Sequence, residues 1–308
     1  MLKKKPVSGM LAICQQGQRL DLAHIQRNSL GLPVLKKWQS ESFSANSFAA
    51  QLLGVAHDKQ FDGYQCVTLL NAGEYQLIQV DAPDVPESEQ KEALRWRLKD
   101  LVDYPIDSVV YDAIPLPESV VPGRTPPLFA AVAQISAIKS LASDFHSARL
   151  QLTAIDLPEF AIRNVAALFE EANRGLAFLV FGEQSALLVF TYGGELFSLR
   201  RLDIGAAQLQ GASVERREQL AERIVLELQR TLDGVDRQFS AITLSRMMLS
   251  IPADCGLEEC FRNNLYVHFD TVDLFEVIDL TSAPELLDRE TQRLAMSTIG
   301  AALRQEEA

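Results

Sequence analysis

GLAFLVFGEQSALLVFTYGGELFSLRRLDIG, residues 175–205, decides the fold. Residues 176–181 and 186–190 are short apolar runs rich in Phe, Val and Leu, and 182–185 separates them, a pattern that predicts strand, tight turn, strand. Gly193 and Gly194 supply a second turn, and 196–202 a third strand. In one large fold class a turn like the first cradles a nucleotide phosphate. Here it is expected to hold no acidic residue placed to position a metal.

The N-terminus repeats this opening. GMLAICQQGQRLDLAHIQRNSLGLPVLKKW, residues 9–38, has an apolar run to Cys14, a turn around Gly17, alternation through Leu20, Leu22 and Ile25, a turn at Gly31 and another strand. The chain therefore reads as two halves that begin alike.

Between the two openings, 65–70 and 75–80 predict strands, and 87–102 predicts a helix with Leu94, Leu98 and Leu101 on its apolar face and Trp96 at the edge. Tyr104, Pro105 and Ile106 end it. Strands follow at 109–114 and 128–133, then a helix at 136–148, a strand at 152–155 and a helix at 157–173. Asp156 and Glu159 read as a helix cap and a first-turn acid rather than an acid/base pair. In the second half, Leu220, Ile224, Leu228 and Leu232 recur every fourth residue and predict a helix over 215–232. A strand at 242–244, a helix at 257–264, strands at 267–269 and 275–278 and a helix at 289–304 complete the expectation.

Composition excludes several classes. With 47% hydrophobic and 23% charged residues, the 308-residue chain is expected to be globular. A net charge of -12 argues against a sequence-independent grip on nucleic acid, which relies on Lys and Arg displacing counterions. Cys255 and Cys260 lack a second pair to complete a zinc site, and the four histidines show no ligand spacing. No GxxxxGK[ST], HExxH or GxSxG string occurs. The N-terminal apolar run is too short for a signal peptide, and Glu183 interrupts the best spanning candidate, so a soluble chain is expected.

QKEALRWRLKDLVDYPIDSVVYDA (90–113), TAIDLPEFAIRNVA (153–166), AERIVLELQRTLD (221–233) and STIGAALR (297–304) resemble the PilM and MshI family of type IV and mannose-sensitive haemagglutinin (MSHA) pilus-biogenesis proteins. The resemblance implies an α/β, duplicated actin-like (ribonuclease H-like) fold with an inserted α+β subdomain, in the arrangement of FtsA and PilM. It divides the chain into a first subdomain (1–82 and 150–174), an insert (83–149), a second subdomain (175–210 and 241–308) and a small helical subdomain (211–240). Nucleotide-binding members carry an Asp-x-Gly turn in each half and a Gly-rich turn near the end. The corresponding segments here, 13–17, 180–182 and 244–250, lack those residues, leaving Gly17, Gly182 and Gly205 as remnants of nucleotide turns.

The resemblance thus implies a cytoplasmic scaffold without ATP or metal, associated with the inner membrane through a PilN-like assembly partner. The partner's cytoplasmic tail is expected in a groove between the first subdomain and the insert, beside Leu94, Trp96, Leu98, Tyr104 and Pro105. An ATP-binding switch of the same assembly and a small-molecule kinase of the same fold are the alternatives. Self-association is a further expectation.

Overall fold

The computed structural model describes residues 7–43, 47–57, 61, 63–121, 123 and 125–305. β1 (Met10–Gln16), β2 (Arg19–Arg27) and β3 (Pro33–Ser42) form an antiparallel meander. α1 (Phe48–His57) leads to β4 (Gln65–Leu69), parallel to β1. β5 (Tyr75–Val80), α2 (Glu87–Leu98), β6 (Val109–Pro115) and β7 (Leu128–Gln134) follow, then α3 (Ile135–Ser147) and β8 (Gln151–Asp156), parallel to β4.

After α4 (Pro158–Ala166) the second half repeats the plan. β9 (Gly175–Phe181), β10 (Ala186–Tyr192) and β11 (Glu195–Leu202) are a second meander. α5 (Ala206–Gln210) and α6 (Val214–Gln238) precede β12 (Leu244–Ser250), and α7 (Leu257–Asn264), β13 (Phe269–Thr271) and α8 (Arg289–Ala302) close the chain. The five-stranded sheets have the orders β3-β2-β1-β4-β8 and β11-β10-β9-β12-β13, so the duplication expected from the two openings is present strand for strand. All seven residues of β9 are buried, as its unbroken apolar run requires of a central strand covered on both faces.

Two helices lock the halves together. α4 follows the first sheet yet packs on β10 and β11 of the second, while α8 follows the second sheet and packs on β1 and β2 of the first. The helices cross where Gly300 meets Ala161, and the Asn164 amide donates to the Gly300 carbonyl at 2.9 Å. The chain near Asp279 also runs onto the first sheet: the Leu35 amide donates to the Asp279 carbonyl and the Asp279 amide to that of Pro33, both at 2.9–3.0 Å.

Several expectations are corrected. β5 belongs to a third sheet, order β5-β7-β6, because its backbone pairs with β7, and α3 packs on α1 and β8 of the first sheet. The chain therefore leaves the first sheet between residues 69 and 75, ahead of the expected 82/83 boundary, and rejoins it between 134 and 151. α2 ends at Leu98, whose carbonyl accepts from both the Leu101 and Val102 amides, and Leu101 is half exposed. α4 has 9 residues, not the span to 173, and passes into a short 3-10 turn. Residues 274–276 are a 3-10 turn rather than a strand, because the Asp273 carboxylate caps the Phe275 amide. The strand expected at 267–269 is displaced to β13, and α6 runs on to Gln238.

Candidate functional site

Three turns are expected to mark a nucleotide site. β1 and β2 are joined by Gly17 and Gln18, with Gly17 at φ 62°, a conformation glycine adopts without penalty. The nearest acid, Asp21, lies inside β2. Its carboxylate accepts from Arg19 at 2.9 Å and from the Ser40 hydroxyl at 2.6 Å, and burial raises its pKa above the usual carboxylate value despite both partners. Burial likewise pushes the Cys14 thiol up to about 12, which leaves it an unreactive small hydrophobe.

In the β9–β10 turn the Gly182 amide donates to the Ser185 carbonyl. The Gly182 and Glu183 carbonyls accept from the Ala206 and Ala207 amides at the start of α5. Gly205 is needed for closeness rather than for positive φ: a Cβ there would lie 2.3 Å from the Glu183 carbonyl oxygen. The turn does hold one acid, Glu183. Its carboxylate accepts from Arg293 of α8 at 3.0 Å, and Arg293, fully buried, also donates to the Phe181 carbonyl and to Glu290.

The third turn is displaced from its expected position. Residues 244–250 are strand β12, and the turn is 251–256, ending in Gly256 at φ 75° as the N-cap of α7. A cleft of about 420 Å³ opens there, lined by Asp254, Glu258, Arg262, Arg289 and Glu290 among others.

A second concavity lies between the three-stranded sheet and the body. This groove, about 580 Å³, is walled by Val110, Asp112 and Ile114 of β6 and floored by Tyr75, Leu157 and Phe160. Four of its charged residues are paired, Arg304 donating to Asp156 at 2.8 Å and Arg163 to Glu195 at 2.8 Å, while Asp112 accepts from the Ala113 amide. Asp156 is not the cap of α4, a position held by Leu157, whereas Glu159 is the expected acid in its first turn. Glu159 is buried, and accepts from the Tyr75 hydroxyl at 2.7 Å and from Arg201 of β11.

The five residues expected to meet a partner do not line this groove. Successive strand residues face opposite sides of a sheet, so Val109 points to α2 while Val110, Asp112 and Ile114 face the groove. Leu94 and Leu98 are buried with Val109, Leu128 and Ala130 on the α2 side. Trp96 is 62% exposed beneath the Lys99 ammonium, the Tyr104 hydroxyl donates to the Gly73 carbonyl, and Pro105 starts a 3-10 turn. The alternation in VVYDAIP was the signal in the sequence that separates these two faces. No helix among the described residues is long and apolar enough to cross a membrane.

No protein-family model and no curated protein matches the chain. Among solved structures, a chain of the PilM-PilN type IV pilus biogenesis complex matches with a TM-score of 0.75 at 21% identity, covering 97% of this chain and 98% of that one. A Bacteroides thetaiotaomicron protein with actin-like ATPase fold and unknown function matches with a TM-score of 0.52 at 10% identity, covering 94% and 99%. With its doubled sheet, exchanged helices and inserted third sheet, the chain is a protein of the actin-like fold.

Proposed function

We propose that the protein is a non-enzymatic scaffold of a type IV pilus biogenesis platform, of the MSHA type, acting at the cytoplasmic face of the inner membrane. In this reading it receives the cytoplasmic tail of a PilN-like inner-membrane protein. The observation that carries the proposal is the groove between the third sheet and the body, lined by apolar side chains and charged ones together, in a chain whose fold matches that of a chain of the PilM-PilN complex along nearly its whole length. Val110 and Ile114 on the wall, Leu157 and Phe160 on the floor and the charges fixed among them suit an extended peptide, whose affinity comes from side-chain pockets and strand-edge hydrogen bonds. A degenerate nucleotide site is part of the same reading. It is supported by Asp21 and Glu183, whose carboxylates are engaged by the protein's own Arg and Ser side chains, and by the α5 amides, which the β9–β10 carbonyls already occupy.

Fluorescence anisotropy with a labelled N-terminal cytoplasmic peptide of the PilN-like protein tests it. Saturable binding to the intact chain, lost on adding excess unlabelled peptide, is the expected result; no binding at any accessible concentration overturns it.

The second reading, an ATP-binding switch of the same assembly, is favoured by one observation: the turn after β12 does carry a glycine and opens into a cleft. A ligand at about a hundred times its Kd stabilises a protein by about 2.7 kcal/mol. A saturable rise in melting temperature with MgATP would therefore replace the scaffold reading with this one.

A further inference from the structure

Glu159, Tyr75 and Arg201 come from three different sheets' surroundings and meet at one buried carboxylate. Glu159 lies in the first turn of α4, Tyr75 opens β5 in the third sheet, and Arg201 is near the end of β11, the edge strand of the second sheet. The Tyr75 hydroxyl donates to one carboxylate oxygen at 2.7 Å, Arg201 donates to the other, and Arg201 also reaches the Tyr75 hydroxyl at 3.1 Å.

We propose that this triad is a latch that holds the third sheet against the body, sets the width of the groove, and couples the groove to the second half of the molecule. A carboxylate taken out of water is tolerated only when charge-paired and hydrogen-bonded. Both of Glu159's partners sit on elements other than its own, so a shift of either sheet of about an ångström takes a bond beyond the hydrogen-bonding range and strands the charge. Apolar packing also joins the parts, since Leu116, Phe129 and Val120 share the large buried cluster with the body. That packing is non-directional, whereas the triad fixes one position.

The groove feels the latch because Tyr75, Leu157 and Phe160 form its floor beside Glu159. The second half feels it because Arg201 stands four residues before Gly205, which is packed against Glu183 and Gln184 of the β9–β10 turn. One strand end therefore links that turn to the groove floor. The biological use of the latch rests on the proposed seating of a partner in the groove, but its existence does not.

Hydrogen–deuterium exchange of the full-length protein, without any partner, tests it in Tyr75→Phe, Glu159→Gln and Arg201→Met. Each variant is expected to exchange the amides of β5, β6 and β7 at least tenfold faster than wild type. Arg163→Met, which cuts the neighbouring Arg163–Glu195 pair on the same helix, is expected to leave them unchanged. The double variant Tyr75→Phe/Arg201→Met should exchange no faster than the faster single one, because one latch is opened once. Acceleration confined to α4 and β11, an equal effect in Arg163→Met, or additive effects in the double variant would overturn the proposal. Tyr75→Phe removes a single oxygen and keeps the test available if Glu159→Gln fails to fold. If the exchange results hold while the PilN-like peptide fails to bind wild type, the latch stands and the seating of the partner falls.

Discussion

A Cβ on Gly300 of α8 would lie 2.1 Å from the carbonyl oxygen of Ala161 on α4, so these two helices touch backbone to backbone where the two halves cross. Neither side of that contact is a flexible side chain that could move aside. Gly300→Ala is expected to cost about 3 kcal/mol or more, the upper end of the range for overpacking. Gly234→Ala, in α6 where an added Cβ meets nothing within 4 Å, is expected to stabilise by about 1 kcal/mol through helix propensity. Urea denaturation of the two variants, read at the midpoint, checks both signs.

Acid should weaken the fold through His24. Its ring donates Nε2–H to the Ser8 carbonyl at 3.0 Å and lies edge-on to Tyr64. Burial, joined by Lys37 and Lys36, lowers its pKa below 6.5 despite the Ser8 bond. Above 6.5 the ring is neutral in both folded and unfolded chains and stability does not change with its titration. As the pH falls through 6.5 toward the lower folded value, the unfolded chain takes up a proton that the folded one refuses, so stability drops. The stability difference between wild type and His24→Gln, measured at pH 7.5, 6.5 and 5.5, should therefore move against wild type as the pH falls.

Arg293 is the bolt of the β9–β10 turn. Arg293→Met leaves the buried Phe181 carbonyl without its donor and separates Glu183 from Glu290. A loss of about 2 kcal/mol is expected, within the range for orphaning a buried acceptor. Thermal melts of the variant with and without MgATP add a second readout: no nucleotide-dependent rise is expected even with the guanidinium removed.

The face of the third sheet that receives a partner can be told from the other by two substitutions. Ile114→Arg puts a charge into the groove wall and is expected to weaken peptide binding at least tenfold. Trp96→Ala, on the opposite side of the sheet, is expected to bind as wild type does. The reverse pattern would move the seat to α2.

The meanders were legible because each apolar run is local and its turn is marked by glycine, as in residues 175–202. α6 was legible because its four leucine and isoleucine positions recur every fourth residue along a helix whose other faces are charged. Partnerships across sequence were not. β5 looks like a continuation of the first half until its amides are seen to pair with β7, some 55 residues on. Residues 275–278 carry strand-like apolar character, but the Asp273 cap and the Gln292 side chain, which accepts from the Leu274 amide, bend them into a turn. The displaced third turn arose because MMLS is buried strand and the chain turns only after it. The Tyr75–Glu159–Arg201 cluster joins residues 84, 42 and 126 positions apart, a separation that no periodicity reports.

The exchange of α4 and α8 between the sheets also governs how the protein is made. β1 and β2 leave the ribosome early, yet the helix that covers them, α8, begins at residue 289. Until it emerges, the apolar side of the N-terminal sheet that α8 shields has no permanent cover, and contacts this distant in sequence form slowly. In a nascent chain that apolar side therefore stays uncovered until residues 289–302 are made, so neither half can complete its packing without the other.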